Sequence, residues 1–169
     1  MPNRDGTLKA REFVFFVEDV AMAALPEQVS RPERRVMWTI LQLHFGDPNV
    51  HFEVQPHMGR RLIELGLHFE GPAETNDQWM SHVGGHAEHI LCELGPTWEL
   101  EEWTASWRRL HRPYAFERLT AALGREVGEE LAKAIGVLGP IIESAGIVAP
   151  PPAPRAPARR ERRRYAHRQ

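Results

Sequence analysis

Cysteine and lysine are scarce in this 169-residue chain, and it has no long apolar run. Cys92 is the only cysteine, so a disulfide framework and a CxxC metal knuckle are both excluded. A single thiol suits a reducing compartment. The opening MPNRDGTLKAREF lacks the charged-then-apolar pattern of a secretory leader, so a cytoplasmic protein is the expectation. No stretch approaches the roughly 18 apolar residues that cross a bilayer, and no membrane span is expected. Lysine occurs only as Lys9 and Lys133; every other basic residue is arginine. Walker, GxGxxG and GxSxG patterns are missing, which removes the usual signatures of nucleotide binding and of serine hydrolysis.

What is present is a globular composition with an uneven charge. Hydrophobic residues make up 42% and charged residues 26%, which excludes collagen-like and wholly disordered chains. Residues 1–148 carry 14 basic and 22 acidic side chains, a balance of −8; residues 149–169 carry seven arginines and one glutamate, a balance of +6. An acidic body of one domain, 1–148, is therefore expected to bear a basic tail, 149–169. The tail reads APPPAPRAPARRERRRYAHRQ. It offers almost no apolar surface to offset ordering entropy and is expected to be disordered.

Residues 8–24 place Phe13, Phe16, Val17 and Val20 on one helical face. Ser30, Pro32 and Glu33 look like the start of a second helix that ends at Gly46. Residues 50–55 and 61–70 alternate strictly and are joined by a Gly-containing loop, the pattern of a β-hairpin. A helix from about Asp77 to Leu94, capped by Thr75 or Asn76, follows. Residues 97–111 are ambiguous and are read as a third strand, since a lone hairpin is marginal. Residues 115–145 advance as helix, with Gly124 a point of division and Pro140 a kink or an end. The expected fold is α+β: a small antiparallel sheet of a hairpin plus a third strand, packed against four to five helices.

Three groups of residues carry candidate chemistry. His51, Glu53, His68 and Glu70 share the polar face of the hairpin, and imidazole with carboxylate suits Zn, Mn, Fe or Ni. The register decides whether they meet: a tight turn sets His51 opposite Gly66, a wider loop sets it opposite His68 or Glu70. The same pattern also suits an ordinary solvent-facing side of a sheet. His82, His86 and His89 stand at helical spacing, and two histidines four apart can chelate one ion; a polar boundary stripe explains them equally. Arg159, Arg160, Arg162, Arg163 and Arg164 could contact phosphates or another acidic partner. The tryptophans are expected to anchor core or interface, and Cys92 to be a small buried hydrophobe.

The leading functional expectation is a non-catalytic interaction or regulatory module, a homo-oligomer or a subunit of an assembly, whose tail binds an acidic partner, nucleic acid included. The alternative is a metal-dependent hydrolytic enzyme that uses a divalent transition metal at one of the histidine clusters.

Overall fold

A computed structural model describes residues 6–148; the arginine-rich tail lies outside the described residues. The first helix, α1 (Ala10–Ala24), forms as its periodicity predicts and buries Phe13, Val14, Val17 and Ala21. The Lys9 backbone N–H donates to the Glu12 carboxylate at 3.0 Å, which satisfies one donor of the helix entry. Leu25 leaves in an extended conformation ahead of Pro26, which cannot continue a helix.

The expected second helix is instead a hairpin, β1 (Glu33–Met37) and β2 (Ile40–His44). The physical reason is visible in ILQLH. Leu41 and Leu43 enter the core while Gln42 and His44 take the other face, a period of two rather than 3.6. Strand pairing outweighs the helix-start pattern at Ser30 and Pro32, which lie in the extended approach to β1. β3 (Val50–His57) and β4 (Leu62–Phe69) form the expected second hairpin, in the wider-loop register: His51 faces His68, and Glu53 faces Gly66.

The Asp77–Leu94 helix is broken at Gly84 and Gly85 into α2 (Ala73–Gly84) and α3 (Ala87–Leu94). Asn76 caps no helix; its amide bonds the backbone of Gly71 and the Ser106 carbonyl. Residues 97–111 hold strand structure, β5 (Glu99–Glu102) and the start of β6 (Arg108–Ala115). The final helix, α4 (Ala121–Ser144), is neither split at Gly124 nor ended by Pro140.

The α+β class is right, but the sheet is twice the expected size. Among the described residues, six antiparallel strands run in the order β1-β2-β3-β4-β6-β5, with four helices. α1 packs on α4, β2 and β3, α2 on β6, and α3 on α4. Leu41, Leu43, Phe52, Val54, Ile63, Leu65, Leu67 and Phe69 supply the sheet's share of one continuous core. Arg112 and Trp98 both bind Glu130 of α4, at 3.0 and 2.7 Å, tying β6 to the last helix.

Two glycines set the approach of α1 to α4. A Cβ at Gly124 would lie 2.7 Å from Phe16 Cδ1, and one at Gly128 2.7 Å from Val20 Cβ and 2.9 Å from the Val17 carbonyl. Gly128→Ala should therefore destabilise the domain by about 1–3 kcal/mol through overpacking. Gly136, also inside α4, has only the Pro26 Cγ at 3.9 Å from its Cβ position, an ordinary contact, so Gly136→Ala should stabilise by roughly 0.5–1 kcal/mol through helix propensity. Urea denaturation of the two variants checks both signs.

Candidate metal centre

The sheet is buried on both faces at its centre. Opposite the hydrophobic core, Gln42, His51, Glu53, Glu64, His68 and His111 are all buried. Strand register builds this polar face in rows. His44, His51, His68, Arg109 and Glu101 stand side by side across β2, β3, β4, β6 and β5; Gln42, Glu53, Gly66, His111 and Glu99 form the adjacent row. Gly66 is the gap in that second row. A Cβ there would sit 2.8 Å from His111 Cβ and 3.2 Å from His68 Nε2, so its absence lets the imidazole of His68 lie across the neighbouring position.

The hairpin quartet comes together. His51, Glu53, His68 and Glu70 each offer a ligand atom, and these atoms lie within 4.8 Å of one another. The first three are buried and Glu70 is half-buried, which makes it the outward member. His51 is oriented as metal-binding histidines are: Nδ1 donates to the Pro48 carbonyl at 2.9 Å, which turns Nε2 toward the cluster. The Gln42 amide nitrogen uses its two hydrogens on His51 Nε2, at 3.0 Å, and Glu53 Oε2, at 2.9 Å. A metal taking those two atoms displaces this amide. His68 Nδ1 lies 3.3 Å from Glu70 Oε1, while its fully buried Nε2 has no hydrogen-bond partner.

A second layer of charge surrounds the quartet. Glu64 Oε1 stands 2.8 Å from His111 Nδ1, 3.0 Å from Arg109 Nη1 and 3.6 Å from His68 Nε2. These are ion-pair distances without hydrogen-bond alignment, since Glu64 Oε1 and His111 Nδ1 are also unpartnered by geometry. Arg109 Nε donates to Glu101 at 2.7 Å, and its guanidinium lies over the Trp103 ring. Trp103 in turn meets His68 edge-on, with ring centres 5.1 Å apart, so the β5–β6 connection roofs the cluster.

Electrostatics follow from the crowding. Burial opposes a charge on His68, but its contacts with Glu64 and Glu70, and the field of Glu53, outweigh that and push it up to about 9. Burial likewise opposes ionisation of Glu64, yet His111, His68 and Arg109 hold it down at about 2. Glu53 is lowered against its own burial by His51, His68 and Gln42. Four carboxylates, those of Glu53, Glu64, Glu70 and Glu101, thus stand among the imidazoles of His51, His68 and His111 and the guanidinium of Arg109, in a place where uncompensated charge is expensive.

The other candidate residues are placed differently. His82, His86 and His89 do not share one helix: His82 lies in the last turn of α2, His86 precedes α3, and His89 is exposed within α3. His82 Nε2 bonds the Ile141 carbonyl at 2.9 Å and its ring meets that of His86 edge-on. Among the described residues only the hairpin quartet brings three or more ligand atoms together. Arg159, Arg160, Arg162, Arg163 and Arg164 lie outside the described residues. Cys92 is exposed rather than buried. Trp79 and Trp98 anchor the core as expected, whereas Trp38 is 88% exposed.

The sequence reading left Gln42, His44, Arg109 and His111 out of the site, placed Glu64 on the hairpin's polar face without making it a ligand, and took Glu101 for part of a solvated acidic face. The signal for the first two was the alternation in ILQLH, and for His111 the alternation of Arg109 and His111 with Leu110. No protein-family model, no curated protein and no solved structure matches this chain. Among the described residues, no helix is long and apolar enough to cross a membrane.

The pKa shifts fix a pH dependence for the chelator-treated protein. His68 is raised from its ordinary 6.5 to about 9, so its stabilising contribution is complete below about pH 6.5 and is lost as pH rises through 9. Stability should fall between pH 6 and 9.5 by up to about 3 kcal/mol, and His68→Gln should flatten that fall. Glu64 has the opposite sense: its contribution is present above its ordinary 4.5 and is lost as pH drops toward 2. Urea midpoints across this range read both limbs; a flat curve between pH 6 and 9.5 would contradict the charged His68.

Proposed function

We propose that this protein binds a divalent first-row transition metal, with His51, Glu53, His68 and Glu70 as its ligands. The observation that carries the reading is the convergence of four ligand atoms within 4.8 Å, three of the residues being buried. Exposed acidic groups gather on many surfaces without an ion, but buried imidazoles and carboxylates need compensation. The residues fit such an ion on two further counts. His68 Nε2 is buried with no hydrogen-bond partner, and His51 is oriented through its second nitrogen. Two nitrogen and two oxygen donors suit Zn, Fe, Mn or Ni.

The metal-dependent enzyme becomes, on this reading, an extension of metal binding. Hydrolysis needs a coordination position open to water, and Glu70, the one half-buried ligand, marks where water can reach the quartet. The acidic-partner role of the arginine tail rests on sequence alone, and it is compatible with a metal-binding body.

Calorimetric titration of the chelator-treated full chain with Zn(II), Mn(II), Ni(II) and, without oxygen, Fe(II) tests the proposal. One ion per chain is expected. His51→Gln and His68→Gln should each weaken binding by at least about tenfold, the loss that even supporting groups of metal sites produce. His86→Ala with His89→Ala should leave it unchanged. Loss of binding in the latter pair, or no binding of any of the four ions, rejects this ligand set.

A further inference from the structure

The sheet has a second unusual feature, far from the quartet, at the end where the hairpins turn. The β1–β2 turn consists of Trp38 and Thr39, and the β3–β4 turn spans residues 58–61. The pairing of Leu41 with Val54 brings both turns to the same end of the sheet. β6 also ends there: Ala115 pairs with Leu62, and the Phe116 N–H donates to the Arg61 carbonyl at 3.0 Å.

Each turn carries a residue that the fold does not need. Trp38 is 88% exposed and Met58 56% exposed. Trp38 and Arg61 both hold left-handed backbone, at φ 57° and 51°. Glycine or asparagine is the usual residue at such turn positions. A tryptophan placed there accepts backbone strain and still buries almost nothing, so its presence points to something outside the chain.

The charge at this end is opposite to that of the body. Arg60, Arg61 and Arg118 are exposed, and none forms an ion pair with another described residue. Glu117 is the acidic neighbour on the 116–118 segment. Residues 1–148 as a whole carry −8. Two projecting apolar tips ringed by guanidinium groups match the layering of an anionic bilayer surface. Indole and thioether reach the headgroup–acyl boundary, and arginines meet the phosphates above it. A long polyanion would lie along the acidic flanks and be repelled, whereas a plane touched end-on keeps those flanks at a distance.

We propose that the protein docks reversibly on anionic lipid surfaces through its hairpin tips, with Trp38 and Met58 inserting and Arg60, Arg61 and Arg118 contacting headgroups. The basic tail is a separate matter. Val148, the last described residue, lies beside Gly46, Asp47 and Pro48, in the β2–β3 connection at the opposite end of the sheet.

Sedimentation of the full chain with phosphatidylcholine vesicles, with and without phosphatidylserine, tests this. The chain should pellet with phosphatidylserine vesicles only. Trp38→Gly with Met58→Ser should reduce partitioning by about tenfold or more. Arg60→Ser with Arg61→Asn should do so by about 30-fold, the weight of two basic residues near a charged bilayer. Both pairs keep a backbone suited to the turns, and their thermal midpoints should not fall. No pelleting of the wild-type chain overturns the proposal. So does pelleting that both tip variants retain, which would place lipid contact elsewhere, the tail included. Binding of a labelled single-stranded oligonucleotide that the tip variants lose, without vesicle binding, would assign the surface to nucleic acid instead.

Discussion

Charge taken out of water must meet opposite charge or a directed hydrogen bond, and the polar face of this sheet is organised around that demand. Glu53, Glu64, His68 and His111 are as inaccessible as many core residues. None of the four could stand there alone. Glu64 stands at ion-pair distance from Arg109 and His111 of β6, His68 is pressed between Glu64 and Glu70, and Gln42 spends both amide hydrogens on its neighbours. The compensation is incomplete: Glu64 Oε1, His68 Nε2 and His111 Nδ1 are buried without a hydrogen-bond partner. A network that only specified the fold would be expected to close on itself. On the proposed reading, a bound cation takes up those unpartnered groups and completes this face.

The rest of the architecture allows such a face to exist. The helices pack together on the apolar side, with α1 and α4 in close approach through Gly124 and Gly128. Among the described residues that arrangement leaves the opposite side without helical cover, and β3 and β4, central in the strand order, present their second side chains there. Trp103 supplies the roof from a five-residue connection held by Thr104 and by Arg108, whose guanidinium is anchored on Asp77 of α2. The packing of α2 against β6 thereby reaches the polar face through one arginine. Gly66 does the same work by omission, since any side chain there would collide with His111 and crowd His68.

The sequence announced the β3–β4 hairpin, because both strands alternate without a fault and a turn signal separates them. The candidate quartet followed directly from that alternation, and its coherence waited only on register. Register was not legible: a loop of one more or fewer residues changes which side chains oppose, and the choice is made by β2 and β6 on either side. The β1–β2 hairpin was misread because Ser30, Pro32 and Glu33 imitate a helix entry, while five residues of alternation are too short to overrule it. Its partner β3 overrules it by pairing. The outer members of the site, Gln42, Arg109 and His111, were lost with those strands.

The two histidine clusters make the same point from opposite directions. His82, His86 and His89 looked coherent because helical spacing is local arithmetic, and it assumes that the helix continues. Gly84 and Gly85 break it between the first and second histidine, so the local argument fails at its own premise. His51 and His68 are seventeen residues apart and share no local geometry, yet a strand pair sets them directly opposite, with ring centres 5.6 Å apart. A sheet gives convergence through long-range pairing and then holds it rigidly, because each strand is fixed on both sides. A helix gives convergence cheaply but loses it to a single flexible pair of residues. For this chain, a site built on the centre of the sheet is therefore the sounder physical reading, although it was the harder one to see.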